Sequence, residues 1–170
     1  MESKPFLLRP GTPVEGKPRP LREGESGDQL AEPLNTYAKE AGLVMRRPPK
    51  IAYTMYALQA SEYAKEQGLF EAFHKGLYRA YWEFGKDIGD LEVIREVATA
   101  EHLDWTELGP MLESKHYEES VMEQYTGATD IGVNGIPGFL IGRYLLTGAR
   151  PYEFFQSIMN KAIAEQNSGS

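Results

Sequence analysis

The stretch GVNGIPGFLIGRYLLTG, residues 132–148, decides how the rest of the chain is read. Two short apolar runs, FLI and YLLTG, flank Gly142-Arg143, a Gly-X pair suited to a two-residue type II′ hairpin turn. Pro137 stands just before the first run. Inside a strand it would delete a ladder hydrogen bond, so it belongs at the strand's first position. An X-Pro bond can also be cis at low cost. A cis Ile136-Pro137 bond would turn the chain sharply and leave the backbone of Gly135 and Ile136 open along the entry edge of the strand. An extended peptide can pair with such an edge through main-chain hydrogen bonds. A trans proline that simply starts a strand is the plainer alternative.

Working outward, Pro151 occupies a first-turn position, and PYEFFQSIMNKAIAEQ places Phe155, Ile158, Met159 and Ala162 on one helical face. The tail 167–170, NSGS, is expected to be disordered. At the other end, KPFLLRP, bounded by Pro5 and Pro10, suits a strand, and residues 10–27 form a Pro- and Gly-rich loop. Asp28 is a candidate cap for a helix that Gly42 stops, with Pro33 in its first turn or kinking it. RRPPK at 46–50 interrupts. Tyr53, Tyr56, Ala57, Ala60, Tyr63 and Ala64 then recur at helical period, and Gly68 separates them from a stripe of Phe70, Phe73, Leu77, Tyr81 and Phe84. With Trp82 beside it, that stripe invites a ligand platform, but core packing of a helical layer explains the same spacing. Asp90 caps a helix with Leu91, Ile94, Val97 and Ala98 inward. Asp104, with Glu107 three residues on, opens another in capping-box style. A further helix covers 115–129. Strand, long helical insertion, hairpin and terminal helix make a helix-heavy α/β protein, a small sheet covered by helices.

Composition narrows the chemistry. The chain has 170 residues, 41% hydrophobic and 25% charged, enough for a core of its own. A net charge of −7 argues against nucleic acid or an anionic membrane as partner. No run is long enough to span a membrane, and the start, MESKPFLLRPG, lacks a signal-peptide pattern, so the cytoplasm is the expected compartment. There is no cysteine, hence no disulfide, thiolate metal site or cysteine nucleophile in these residues. His74, His102 and His116 show no metal-ligand spacing, and neither metal nor cofactor is expected.

The order Gly132-Val133, Gly135-Ile136-Pro137-Gly138-Phe139, a hairpin, then Gly148-Ala149-Arg150-Pro151 resembles the DsbA-like branch of the thioredoxin superfamily, most closely its FrnE-like proteins. FLLRPGTPVEG looks like that family's second strand and following loop. Leu69 to Ile94 is similar to part of its helical insertion. The resemblance implies a thioredoxin-like, DsbA-type α/β fold with a large all-helical insertion. Residues 1–27 would be the second strand and loop, 28–130 the insertion, and 131–166 the cis-Pro loop, hairpin and C-terminal helix. It also implies a cis proline at Pro137 and a role for Gly135, Ile136 and Pro137 in binding an extended peptide or thiol substrate. Gly138 departs from the family, where a side chain often follows the proline, and Arg150 replaces a usual Gln.

The resemblance also implies a missing part. The family's first strand and the helix bearing its Cys-x-x-Cys have no counterpart here, so no catalytic residue is assigned and the sheet is expected to be incomplete. The gap would be closed by KPFLLRP pairing directly with GFLI, or by another chain through homo-oligomer formation or strand exchange. Three functions follow as expectations. The first is a thiol–disulfide oxidoreductase family member whose redox cysteines lie outside these residues. The second is a non-catalytic module that binds a peptide or partner. The third is a relative of 2-hydroxychromene-2-carboxylate isomerases or kappa-class glutathione transferases.

Overall fold

The computed structural model describes residues 2–168, the side chain of Ser168 excepted. Seven α-helices and four short strands follow one another as β1 (Lys17–Pro18), α1 (Leu34–Glu40), β2 (Lys50–Ile51), α2 (Met55–Glu66), α3 (Phe70–Tyr78), α4 (Leu91–Ala100), α5 (Trp105–Glu113), α6 (Glu118–Asp130), β3 (Gly138–Ile141), β4 (Tyr144–Thr147) and α7 (Tyr152–Ser168). The strands form two separate antiparallel pairs, β1 with β2 and β3 with β4. The class is α/β and helix-heavy.

Helices α2 to α5 enclose the main core. Ala60, Ala64, Phe73, Ile94, Ala98, Leu108 and Leu112 are fully buried there, and Tyr63 nearly so. Burying each large side chain stabilises the fold by roughly 1.5–3 kcal/mol before conformational entropy is counted. A smaller cluster joins Leu7 of the N-terminal segment to Met55 and Val121. Local signals set the helix ends. The Asp90 carboxylate accepts from the Glu92 amide at 2.9 Å, and that of Asp104 from the Thr106 amide at 2.8 Å. Gly68 stops α2 in the left-handed region at φ +70°. Glu107 does not complete a capping box; it accepts instead from the Tyr63 hydroxyl at 2.8 Å.

Four expectations need correction. KPFLLRP is not a strand and pairs with nothing in a ladder; Leu7 turns its side chain into the cluster with Met55 and Val121 instead. Direct pairing of that segment with GFLI is therefore absent. Asp28 caps no helix: it pairs with Arg46 at 3.0 Å, and α1 begins only at Leu34, where Glu32 accepts from the Thr36 amide at 3.1 Å. The stripe ends early. Phe73 and Leu77 are buried, but a π turn at Arg79–Glu83 inserts an extra residue and leaves Phe84 exposed. Near the C-terminus, Met159 is exposed rather than inward, and α7 runs on through Asn167 and Ser168. Residues 169–170 of the expected disordered tail lie outside the described residues.

The hairpin follows the reading of its turn. Gly138 pairs with Thr147, Phe139 with Leu146, Leu140 with Leu145 and Ile141 with Tyr144. Gly142 has φ +58°, and a Cβ there would sit 3.2 Å from that of Ala162, so the turn rests closely on α7. Phe139 meets Phe155 edge to face at 4.8 Å. Arg143 and the Tyr144 hydroxyl both donate to Glu165, at 2.8 and 2.6 Å. These contacts bind hairpin and α7 into one small unit.

Candidate functional site: the loop before the hairpin

Helix α6 ends on Gly132 at φ +93°, whose N–H donates to the Thr129 carbonyl at 2.9 Å while that of Val133 reaches Ala128 at 2.9 Å. A left-handed glycine here satisfies the last carbonyls and turns the chain out of the helix. The chain then passes through Asn134, Gly135, Ile136 and Pro137 into β3. The Ile136–Pro137 peptide is cis, as is Glu32–Pro33. The Pro137 carbonyl accepts from the Gly148 N–H at 2.8 Å, which ties the loop's exit to the end of β4.

Gly138 now has a physical account. A Cβ at this position would lie 3.2 Å from Val133 Cγ1 and 3.4 Å from the Gly135 carbonyl oxygen. The loop folds back on itself more tightly than a side chain allows. No structural consequence of Arg150 emerges beyond its guanidinium lying 5.9 Å from the Phe154 ring.

Gly135, Ile136 and Pro137 are thus brought together on an accessible turn. The Ile136 side chain is 52% exposed, and Pro137 is exposed as well. β3 pairs with β4 on one side only, so its other edge takes no ladder partner among the described residues. Beside the loop's entry is a hollow of about 410 Å³ lined by Phe6, Leu8, Tyr125, Thr129, Gly132, Val133 and Asn134. The Phe6 and Tyr125 rings meet at 5.4 Å. Apart from the Tyr125 phenol, neither loop nor hollow carries an ionisable side chain. Such a surface holds a ligand by shape and main-chain hydrogen bonds; it has no acid, base or nucleophile of its own. The hollow escaped the reading of the sequence because Phe6 and Tyr125 meet only through folding.

The histidines do not form a site. His74 lies between the rings of Phe70 and Tyr78, at 5.0 and 4.6 Å, and burial lowers its pKa from the ordinary value. Among the described residues no three His, Cys, Asp or Glu side chains are grouped to hold a metal ion. No helix among them is long and apolar enough to cross a membrane.

Comparison with known proteins fits this architecture. The protein YwbO of Bacillus subtilis is 22% identical over 169 residues, covering 98% of this chain and 82% of its own length. The crystal structure of a probable DsbA oxidoreductase from Streptomyces coelicolor matches with a TM-score of 0.70 and 28% identity over 78% of this chain. This chain spans only 58% of that structure. The DSBA-like thioredoxin domain matches residues 1–160, nearly the whole chain, and the chain therefore belongs to that family.

Proposed function

We propose that this chain supplies the substrate-holding side of a DsbA-type thiol–disulfide oxidoreductase. Gly135, Ile136 and Pro137 hold an extended, cysteine-bearing peptide, whose backbone continues along the open edge of β3. The thiols that exchange come from outside these 170 residues, because a chain without cysteine cannot form the mixed disulfide that exchange requires. The observation that carries the reading is the exposed, uncharged loop beside an apolar hollow, in a chain of the DsbA-like family.

Fluorescence anisotropy with a labelled extended peptide of about eight residues, long enough to span one strand, tests this. Saturable binding is expected. Ile136→Asp, which puts a charge on an exposed position, is expected to weaken it by about tenfold or more without lowering the melting temperature. No binding, or equal binding by the variant, defeats the proposal.

The absence of cysteine also favours a second reading, a module that binds without catalysis. Protein purified from its native source separates the two. Disulfide reductase activity together with an intact mass above that of this sequence supports the oxidoreductase. Peptide binding at the mass of these 170 residues, with no thiol chemistry, supports the module.

A further inference from the structure

Two basic runs play no part in the loop site. KPRPLR at 17–22 and RRPPK at 46–50 lie far apart in sequence, and the pairing of β1 with β2 sets them side by side. Their charges are unevenly matched. Arg46 pairs with Asp28 at 3.0 Å and Lys50 with Asp87 at 2.5 Å, while Lys17 donates to the Gly11 carbonyl at 2.7 Å. Arg19 and Arg47 share one carboxylate, Glu25, at 2.5 and 3.3 Å. The Arg22 amide also donates to Glu25, at 3.0 Å.

The shared carboxylate is 3% exposed, and the two arginine side chains are 11% and 12% exposed. Two nearly buried cations therefore face one buried anion. Arg47 spends a further donor on the Arg19 carbonyl. Arg19 Nη1, also buried, has no acceptor at all. An unpaired guanidinium donor out of water is unfavourable, and a surplus buried charge more so.

Two further groups converge on the same place. The π turn presents Tyr81, whose hydroxyl reaches no closer partner than the Lys50 carbonyl at 3.5 Å. Its phenol lies in the fields of Arg19 and Arg9, with Asp87 opposed. Among the described residues Arg9 pairs with no carboxylate.

We propose that Arg19, Arg9 and Tyr81 bind the oxyanion of a small molecule, a phosphate or a carboxylate. Arg19 Nη1 is the leading donor, and the shared Glu25 holds the guanidinium fork in place from behind. A rigid fork suits either oxyanion.

Isothermal titration of the full chain with inorganic phosphate, and separately with acetate, tests this at constant ionic strength against chloride. Saturable binding of one of them is expected; the tighter ligand identifies the source of the oxyanion. Arg19→Lys keeps a positive charge beside Glu25 but removes Nη1, and should weaken binding by about tenfold. Peptide binding at the Ile136 loop should not change. Tyr81→Phe, which removes only a hydroxyl, should weaken it several-fold and serves if the lysine variant folds poorly. Binding no stronger than chloride, or unchanged in a folded variant, overturns the proposal.

Discussion

Residues 55–130 and residues 131–168 close their surfaces in different ways. In the first region, side chains from α2 to α6 enter common cores, and hydrogen bonds cross between helices. The Tyr117 hydroxyl donates to Glu66 at 2.6 Å and Gln124 to Glu62 at 2.9 Å. Burial, reinforced by the bond to Glu107, pushes the Tyr63 phenol up to about 12. In the second region, Ala162 is the one buried hydrophobic residue among those described, while Ile136, Leu140, Met159 and Ile163 are exposed. Several helices can bury their apolar stripes against one another. A lone hairpin with one helix has too few faces to do so, and its remaining apolar surface is left for something else to cover.

The most forceful way to break this comparison is to empty each region of an aromatic ring. Phe73→Ala, at a fully buried position, should cost about 3–5 kcal/mol in urea unfolding. Phe155→Ala, in the half-covered second region, should cost less than half of that. Equal losses would erase the distinction.

A second test lies at a flaw inside the better-closed region. Gln59 is fully buried, yet neither its amide nitrogen nor its oxygen has a partner. Gln59→Met keeps the shape and removes the orphaned groups, and should raise stability by about 1–3 kcal/mol. A loss of stability would show that the amide is satisfied in solution.

The smallest expected effect is a pH dependence. The Thr106 hydroxyl, and then its amide, hold the Asp104 carboxyl below the ordinary carboxylate range. Its contribution is complete above the unfolded value, about 3.9, and is lost as pH falls through the lower folded value. Asp104→Asn should therefore melt with a shallower acid dependence than the parent. Identical slopes would detach the cap from the acid response.

What the sequence made legible was local. Asp90, Asp104, Gly68 and the Gly142-Arg143 turn act within a few residues of themselves, and each was readable without knowing the fold. KPFLLRP misled because an apolar run can serve a strand or a lone anchor equally well; the choice depended on Met55 and Val121, some fifty and more than a hundred residues away. Asp28 misled because Arg46 competes for its carboxylate. At the candidate site, Pro137 and its glycines announced a loop, but nothing nearby announced the hollow or the tight fold-back that Gly138 permits.

The π turn at Arg79–Glu83 has one more consequence, which concerns chain length rather than chemistry. It holds a single residue more than an α-helix needs, so this part of the protein can register an insertion or deletion without losing its helical hydrogen bonding. Removing one residue there would rotate everything after it by about 100°. Phe84 would swing toward the line of Phe73 and Leu77, and the ring of Tyr81 would leave the Lys50 carbonyl. Relatives differing by one residue at this point would share a helix but not its phase.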